Sequence, residues 1–343
     1  MLNQMAPKPT EIIADLIQRG ALSQVAYVAA ELRIADHLAN APMHAGELAL
    51  AVGSHEQSLH RLLCALVTLG LCIKHDDGSF ALSEAGSLLR TNTRDSLQSW
   101  LLWFGRYQWA VWGQLLDTVR TGEGARKRAT GSDGFGLFER DPHAAPVFGM
   151  AMVQQTRLIA NEVVRACSFA GIRRIVDVGG GHGALLEVIL KANPGLHGVL
   201  VDRPHAIEGA RTLLRQAGVA NRCDLVPGDF FEAIPPGADL YLLKNIVHDW
   251  DDERALRILR NCRHAMPIGG RLLLIERIVP VRLETSASHR AVVHADLTMM
   301  LGPGGQERTE AEFSALLHIS GFDLADIRST ALGYSMVEAS ARS

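Results

Sequence analysis

From residue 174 onward, short runs of β-branched and aliphatic residues alternate with stretches of helical spacing. The runs occupy 174–178, 198–201, 223–226, 240–244, 271–275, 323–327 and 334–338. Strands separated by helices close into βαβ units, because a parallel neighbour is reached only through a crossover, and that crossover is usually a helix. The expected class is therefore α/β with a mainly parallel sheet. Before residue 174 the pattern is helical: Ile12, Ile13, Leu16 and Ile17 recur on one face, followed by Val25, Val28, Ala29 and Leu32. The pattern changes around 167–171, which places the boundary between a first domain, 1–170, and a second, 171–343.

Within the first domain, 45–52 and 58–69 read as two short helices joined by a turn. A DDG turn, Asp76-Asp77-Gly78, then separates two short apolar runs and signals a hairpin. Helix, helix and hairpin together resemble a winged helix. Residues 41–90 carry three basic side chains (Arg61, Lys74, Arg90) against five acidic ones (Glu47, Glu56, Asp76, Asp77, Glu84), the wrong sign for reading a DNA groove. The whole chain of 343 residues carries a net charge of -3, so nucleic acid is not an expected partner. Four of the five tryptophans (Trp100, Trp103, Trp109, Trp112) recur at helical spacing, which suits core packing.

No stretch approaches the ~18 apolar residues of a membrane helix. Five cysteines (Cys64, Cys72, Cys167, Cys223, Cys262) are scattered without a CxxC pair, a pattern of free thiols in a reducing cytoplasm rather than of disulfides or a zinc site.

After the run at 174–178 comes Gly179-Gly180-Gly181-His182-Gly183-Ala184, opening a helix. Glycines let the backbone turn tightly and approach a ligand, and the helix start offers free N–H groups. Gly179, Gly181 and Ala184 also satisfy the dinucleotide fingerprint, so the loop alone leaves the nucleotide undecided. Asp177 sets a carboxylate at the strand tip, where it repels a pyrophosphate and attracts an ammonium group. Asp202 ends the next strand, 23 residues beyond Gly179, where a carboxylate can accept both ribose hydroxyls. Asp229 and Phe230 follow the third strand with an acceptor for an exocyclic amine and a face for a purine. Each acid could instead cap the next helix. Three acids at the ends of consecutive strands beside one glycine loop argue for an adenosine ligand.

The fourth strand leads into Lys244-Asn245-Ile246-Val247-His248-Asp249-Trp250. Carboxyl ends of parallel strands line the ligand crevice, which puts His248 on the working side, and imidazole is the usual base near neutral pH. Glu276 closes the fifth strand on that side, and Gly304-Gly305-Gln306-Glu307-Arg308 brings a further carboxylate from a later loop. A carboxylate on one ring nitrogen leaves the other free to take a proton. A structural histidine is the bland alternative, and Asp251, Asp252 and Glu253 read as partners of the following helix dipole. Adjacent acids on a helix point in different directions, so no metal site is expected here.

The order DVGGGHG, LVDRP, GDFF, LKNIVHDWDDE, LLLIERIVP and GGQERTE resembles the S-adenosylmethionine-dependent O-methyltransferases of the caffeic-acid and hydroxyindole type, including bacterial members acting on aromatic natural products. The similarity covers nearly the whole chain. HDW, with Glu276 28 residues beyond His248 and ERTE after it, points away from a nicotinamide. The resemblance implies a Rossmann-like methyltransferase domain preceded by a helical, winged-helix dimerisation domain. It implies S-adenosylmethionine held by Asp177, Gly179, Gly181, Asp202, Asp229, Phe230 and Lys244, and His248 as general base flanked by Glu276 and Glu307. An aromatic acceptor would lie against Trp103, Phe148, Met152 and Met299, in a cytoplasmic homodimer that needs no metal. N-methylation, and a non-catalytic regulator that binds the metabolite, are the alternatives.

Overall fold

The computed structural model describes residues 8–131 and 134–342. These form two compact units, one ending at Trp109 and the other beginning at Ala110. That division lies well before the 170/171 boundary read from the change of periodicity. The reason is packing: the helix Ala144–Ala166 delivers Ile159, Ala160 and Val163 into the core that also holds Ile175 of the sheet.

In the first unit the helices Pro9–Glu31, Ile34–His37, Ala45–Val52 and Glu56–Thr68 precede strands β1 (Cys72–Lys74) and β2 (Phe80–Leu82). The two strands pair antiparallel around the expected DDG turn, and Phe80 packs with Leu48, Leu63 and Leu66. The tryptophan-rich stretch departs from a plain helix. Gln98–Trp103 passes into a π-helical turn, Phe104–Gln108, before helical geometry resumes at Trp109–Trp112. Two neighbours accompany that wide turn. Gly105 lies so close to the Tyr27 ring that a β-carbon there would come within 2.1 Å, and Arg106 grips Glu31 through two hydrogen bonds of 2.8 and 2.6 Å.

The second unit is built on a seven-stranded sheet. Its strands are β3 (Arg174–Val178), β4 (His197–Asp202), β5 (Cys223–Pro227), β6 (Leu240–Lys244), β7 (Arg271–Glu276), β8 (Phe322–Ser329) and β9 (Ser335–Ala341), in the order β5-β4-β3-β6-β7-β9-β8. Alternate residues serve opposite faces. Val176, Tyr241, Leu243, Leu272 and Leu274 enter one core, whereas Ile175, Leu240, Leu242, Leu273 and Ile275 enter the other. Covering both faces explains the nearly continuous apolar runs. Strands β3 to β7 are parallel, while the last two runs form an antiparallel hairpin with β9 between β7 and β8. The link between them is too short for a parallel crossover.

The chain moves outward from β3 through β4 to β5, then returns to β6 on the other side of β3. Such a reversal opens a crevice at the carboxyl ends of the two central strands. The glycine loop leaves β3 and the His248 turn leaves β6, so both arrive at that crevice. Among the described residues no helix is long and apolar enough to cross a membrane.

Candidate active site

Gly179 and Gly181 adopt φ values of 70° and 58°, a left-handed region that glycine enters at little cost. The loop they form is tied to the end of β4. The Gly181 N–H donates to Asp202 Oδ2 at 2.7 Å, and the Arg203 N–H donates to Asp202 Oδ1 at 2.7 Å. Asp202 therefore shapes the loop as well as offering acceptors to whatever lies on it. Beneath the loop, Asp177 is buried, and its Oδ2 has no hydrogen-bond partner. Burial, reinforced by the neighbouring Asp202, pushes the Asp177 carboxyl up to about 7, with Lys244 pulling the other way.

Asp229 is more fully engaged than its place after β5 suggests. Its Oδ1 accepts from the Phe231 N–H at 2.8 Å, and its Oδ2 pairs with Arg203 Nη1 at 2.8 Å. Phe230 packs edge-on to Trp250 with centroids 6.2 Å apart. The Lys244 ammonium stands 5.7 Å from the centre of the Tyr334 ring.

At the end of β6, Asn245 takes a φ of 54°, and the chain then forms the short 3-10 turn Val247–Asp249. Glu276, fully buried at the end of β7, fixes this turn: its Oε1 accepts the N–H groups of Ile246 at 3.0 Å and Val247 at 2.9 Å. The Glu276 Oε2 lies 3.7 Å from His248 Nδ1. Glu307 is closer, with Oε1 2.9 Å from the same nitrogen. The other nitrogen, Nε2, is 3.6 Å from Asp249 Oδ1. Burial by itself disfavours the imidazolium, but the carboxylates of Glu307, Glu276 and Asp249 outweigh it and raise His248 to about 10. Burial in turn pushes Glu276 up to about 7, against the attraction of His248.

Glu307 reaches His248 because its loop crosses the histidine backbone at a glycine. A β-carbon on Gly305 would fall 2.0 Å from the His248 carbonyl oxygen, and the next residue, Gln306, donates its N–H to that oxygen at 2.9 Å. Asp296 Oδ1 accepts the Glu307 N–H at 2.9 Å. Arg308 clamps the turn from behind, donating to the carbonyls of Val247 at 2.9 Å and Trp250 at 2.8 Å and pairing with Asp252 at 2.7 Å. Arg308 stands inside the GGQERTE motif and Trp250 inside HDW, yet motif order alone assigns neither a role. Asp251 caps the helix Asp252–Ala265 by accepting the Arg254 N–H at 2.9 Å, as its position after the turn suggested.

His248, Glu276 and Glu307 also lie close enough to offer three ligand atoms within 4.8 Å of one another. The Glu276 Oε1 accepts two backbone N–H groups and the His248 Nδ1 approaches Glu307 Oε1, whereas Glu276 Oε2 and Glu307 Oε2 have no hydrogen-bond partner among the described residues.

Of the residues expected around an acceptor, three belong to the second unit. Phe148 joins an aromatic group with Phe138 (5.1 Å between centroids) and Phe135 (6.2 Å), and Phe135 continues to Trp250 at 5.7 Å. Met152 lies one turn further along the same helix, and Met299 lies in the helix Ala287–Leu301. Trp103 belongs to the first unit, where it is buried and stacks on Tyr107 at 4.9 Å.

Residues 112–323 match the family model of the O-methyltransferase domain, and 14–92 match that of the O-methyltransferase dimerisation domain. The chain belongs to the O-methyltransferase family. It is 38% identical to the phenazine O-methyltransferase PhzM of Lysobacter antibioticus over 96% of both chains. It is 39% identical to the mitomycin biosynthesis 6-O-methyltransferase of Streptomyces lavendulae, over 91% of this chain and 88% of that one. The structure of human N-acetylserotonin methyltransferase in complex with S-adenosylmethionine superposes with a TM-score of 0.91 at 26% identity, covering 100% of both chains. This O-methyltransferase thus uses S-adenosylmethionine as its methyl donor, and its β3–β6 crevice suits that ligand. Burial and the neighbouring Asp202 disfavour ionisation of Asp177, and its unpartnered, buried Oδ2 is the kind of acceptor that a cationic amino acid would satisfy.

Proposed function

We propose that this O-methyltransferase methylates a hydroxyl group of a small, planar, mostly apolar aromatic acceptor, with His248 as general base. The observation that carries this reading is an imidazole whose Nδ1 is held at 2.9 Å by a buried carboxylate, Glu307, leaving Nε2 as the nitrogen for the acceptor proton. S-adenosylmethionine supplies an electrophilic methyl group on a sulfonium, so the protein's tasks are alignment and proton removal. Glu307 stabilises the imidazolium formed at His248, and Glu276 holds the backbone turn that aims the ring. The carboxylates beside His248 raise its basicity, which favours proton transfer to the unprotonated ring from a phenol, whose free pKa is ~10.

We assign the donor to Asp177, Gly179, Gly181, Asp202, Asp229, Phe230 and Lys244. The acceptor wall within the second unit is assigned to Phe148, Met152 and Met299, whose aromatic face and thioethers grip a flat ring by dispersion. No metal takes part in this scheme, because base and electrophile are both supplied without one. The enzyme acts as a homodimer in the cytoplasm: exposed Leu16 and Ile17 support the dimer, and five free cysteines suit a reducing compartment.

The test is a panel of phenols, fused-ring phenols, N-hydroxy heterocycles, aromatic amines, aliphatic alcohols and sugar phosphates, assayed with labelled donor, with and without a chelator. O-methylation of an aromatic, insensitive to the chelator, is the expected outcome. Preference for an amine, an aliphatic alcohol or a phosphorylated acceptor overturns the acceptor assignment, and loss of activity with the chelator overturns the metal-free scheme.

A further inference from the structure

The glycine loop carries one side chain to which the transfer reaction gives no task, His182. Its imidazole is enclosed by two helices at places where both lack a side chain. A β-carbon built on Gly149, in the helix Ala144–Ala166, would fall 2.3 Å from His182 Nε2. One built on Gly209, in the helix Pro204–Gln216, would fall 2.3 Å from the same atom. Neither glycine has a positive φ, so neither is required by backbone conformation. Glycine inside a helix weakens it relative to alanine, and what both positions gain in exchange is room for one ring. Burial, followed by the proximity of His205, lowers the His182 pKa below the ordinary imidazole value.

The slot adjoins the proposed acceptor wall. Gly149 directly follows Phe148, and Phe138 bridges the two sides, 5.1 Å from Phe148 and 5.7 Å from His205.

We propose that His182 is a positioning residue that pins the donor-holding glycine loop to the helix bearing Phe148 and Met152, so that donor binding orders the acceptor wall. The inference rests on the donor and acceptor assignments above and adds the link between them. The loop cannot shift without moving the ring, and the ring cannot move without leaving the gap that the two glycines provide. A donor that fixes the loop therefore restrains the start of the helix Ala144–Ala166, an effect read as a coupling between sites.

The experiment uses the full chain and S-adenosylhomocysteine as probe, with calorimetry for affinity and amide hydrogen exchange for the helix Ala144–Ala166. In the wild type the probe is expected to protect both the glycine loop and the amides around Phe148 and Met152. Gly149→Ala should weaken probe binding by about tenfold, a modest coupling. The double variant Gly149→Ala/His182→Ala should recover most of that loss, because the added methyl then meets no ring. Gly209→Ala, with and without His182→Ala, repeats the cycle from the other helix, should Gly149→Ala fail to fold. In His182→Ala the loop should still gain protection while the helix no longer does. Additive losses in both cycles, or helix protection unchanged in His182→Ala, would overturn the inference alone. A wild type that does not bind S-adenosylhomocysteine would overturn the donor assignment and this inference with it.

Discussion

His248 Nδ1 and Glu307 Oε1 stand 2.9 Å apart although 59 residues separate them in the chain. Both side chains are carried to that point by backbone contacts, since the Gln306 N–H holds the His248 carbonyl at 2.9 Å and the Gly305 surface admits it. The pair is therefore set by main-chain geometry, and a change of side-chain chemistry at either end should leave the turn in place.

Glu307→Gln tests the charge within this pair. The amide keeps the shape but removes the negative charge that raises the His248 pKa, so the His248 pKa should fall toward the ordinary imidazole value. Reaction requires the unprotonated ring. The limb on which kcat/KM rises with pH should move from above neutrality to lower pH, and turnover should drop roughly 10²-fold or more, because the imidazolium formed during transfer loses its partner. A pH–rate profile reads both effects, and an unmoved limb refutes the pairing as the source of the raised pKa.

His248→Ala should separate binding from chemistry. The Glu276 carboxylate still holds the N–H groups of Ile246 and Val247, so fold and donor affinity should persist while turnover falls by roughly 10²–10⁴-fold. Calorimetry alongside turnover checks this, and near-normal turnover would remove His248 from the role of base.

Asp202→Ala should do the reverse. The carboxylate accepts the Gly181 N–H of the glycine loop and the N–H of its own neighbour Arg203, and hydrogen bonds to a charged group contribute roughly 1.5–3 kcal/mol each. Donor affinity should fall at least about tenfold, the equivalent of ~1.4 kcal/mol. Unchanged affinity for S-adenosylmethionine by calorimetry contradicts the assignment.

Arg308 is 1% exposed and supplies the carbonyls of Val247 and Trp250. Arg308→Met leaves those two acceptors without this donor, at about 1–3 kcal/mol for each group left unsatisfied. The melting temperature of the second unit should drop by roughly 5–10 °C. Differential scanning calorimetry measures it, and a shift below a degree would show that water replaces the guanidinium without loss.

Ile17 is 73% exposed, on the face that also bears Ile13 and Leu16. Such an apolar stripe is stable in water when a second copy covers it. Ile17→Glu should shift the mass found by light scattering at micromolar concentration from dimer toward monomer, and a wild type that is itself monomeric would refute the assembly.

Much of this was legible in the sequence, for local reasons. The strand runs, the DDG hairpin, the glycine loop and the placement of His248 and Glu276 at strand ends follow from side-chain period and turn chemistry, which act over a few residues. Tertiary structure decided which groups meet. Both Glu276 and Glu307 stood as candidate partners of His248. The Gly305 crossing accompanies the 2.9 Å contact to Glu307, whereas Glu276 Oε1 accepts from the backbone of Ile246 and Val247. Asp202 read as an acceptor for a ligand, yet one of its oxygens already shapes the loop through Gly181. The helix Ala144–Ala166 precedes every strand of the sheet, and only its shared core with Ile175 assigns it to the second unit. Gly149 and Gly209, 60 residues apart, share no local pattern that marks them as a pair. Periodicity tells a residue which face it occupies. Strand register, loop crossings and packing against distant helices decide what waits there, and these depend on the whole chain at once.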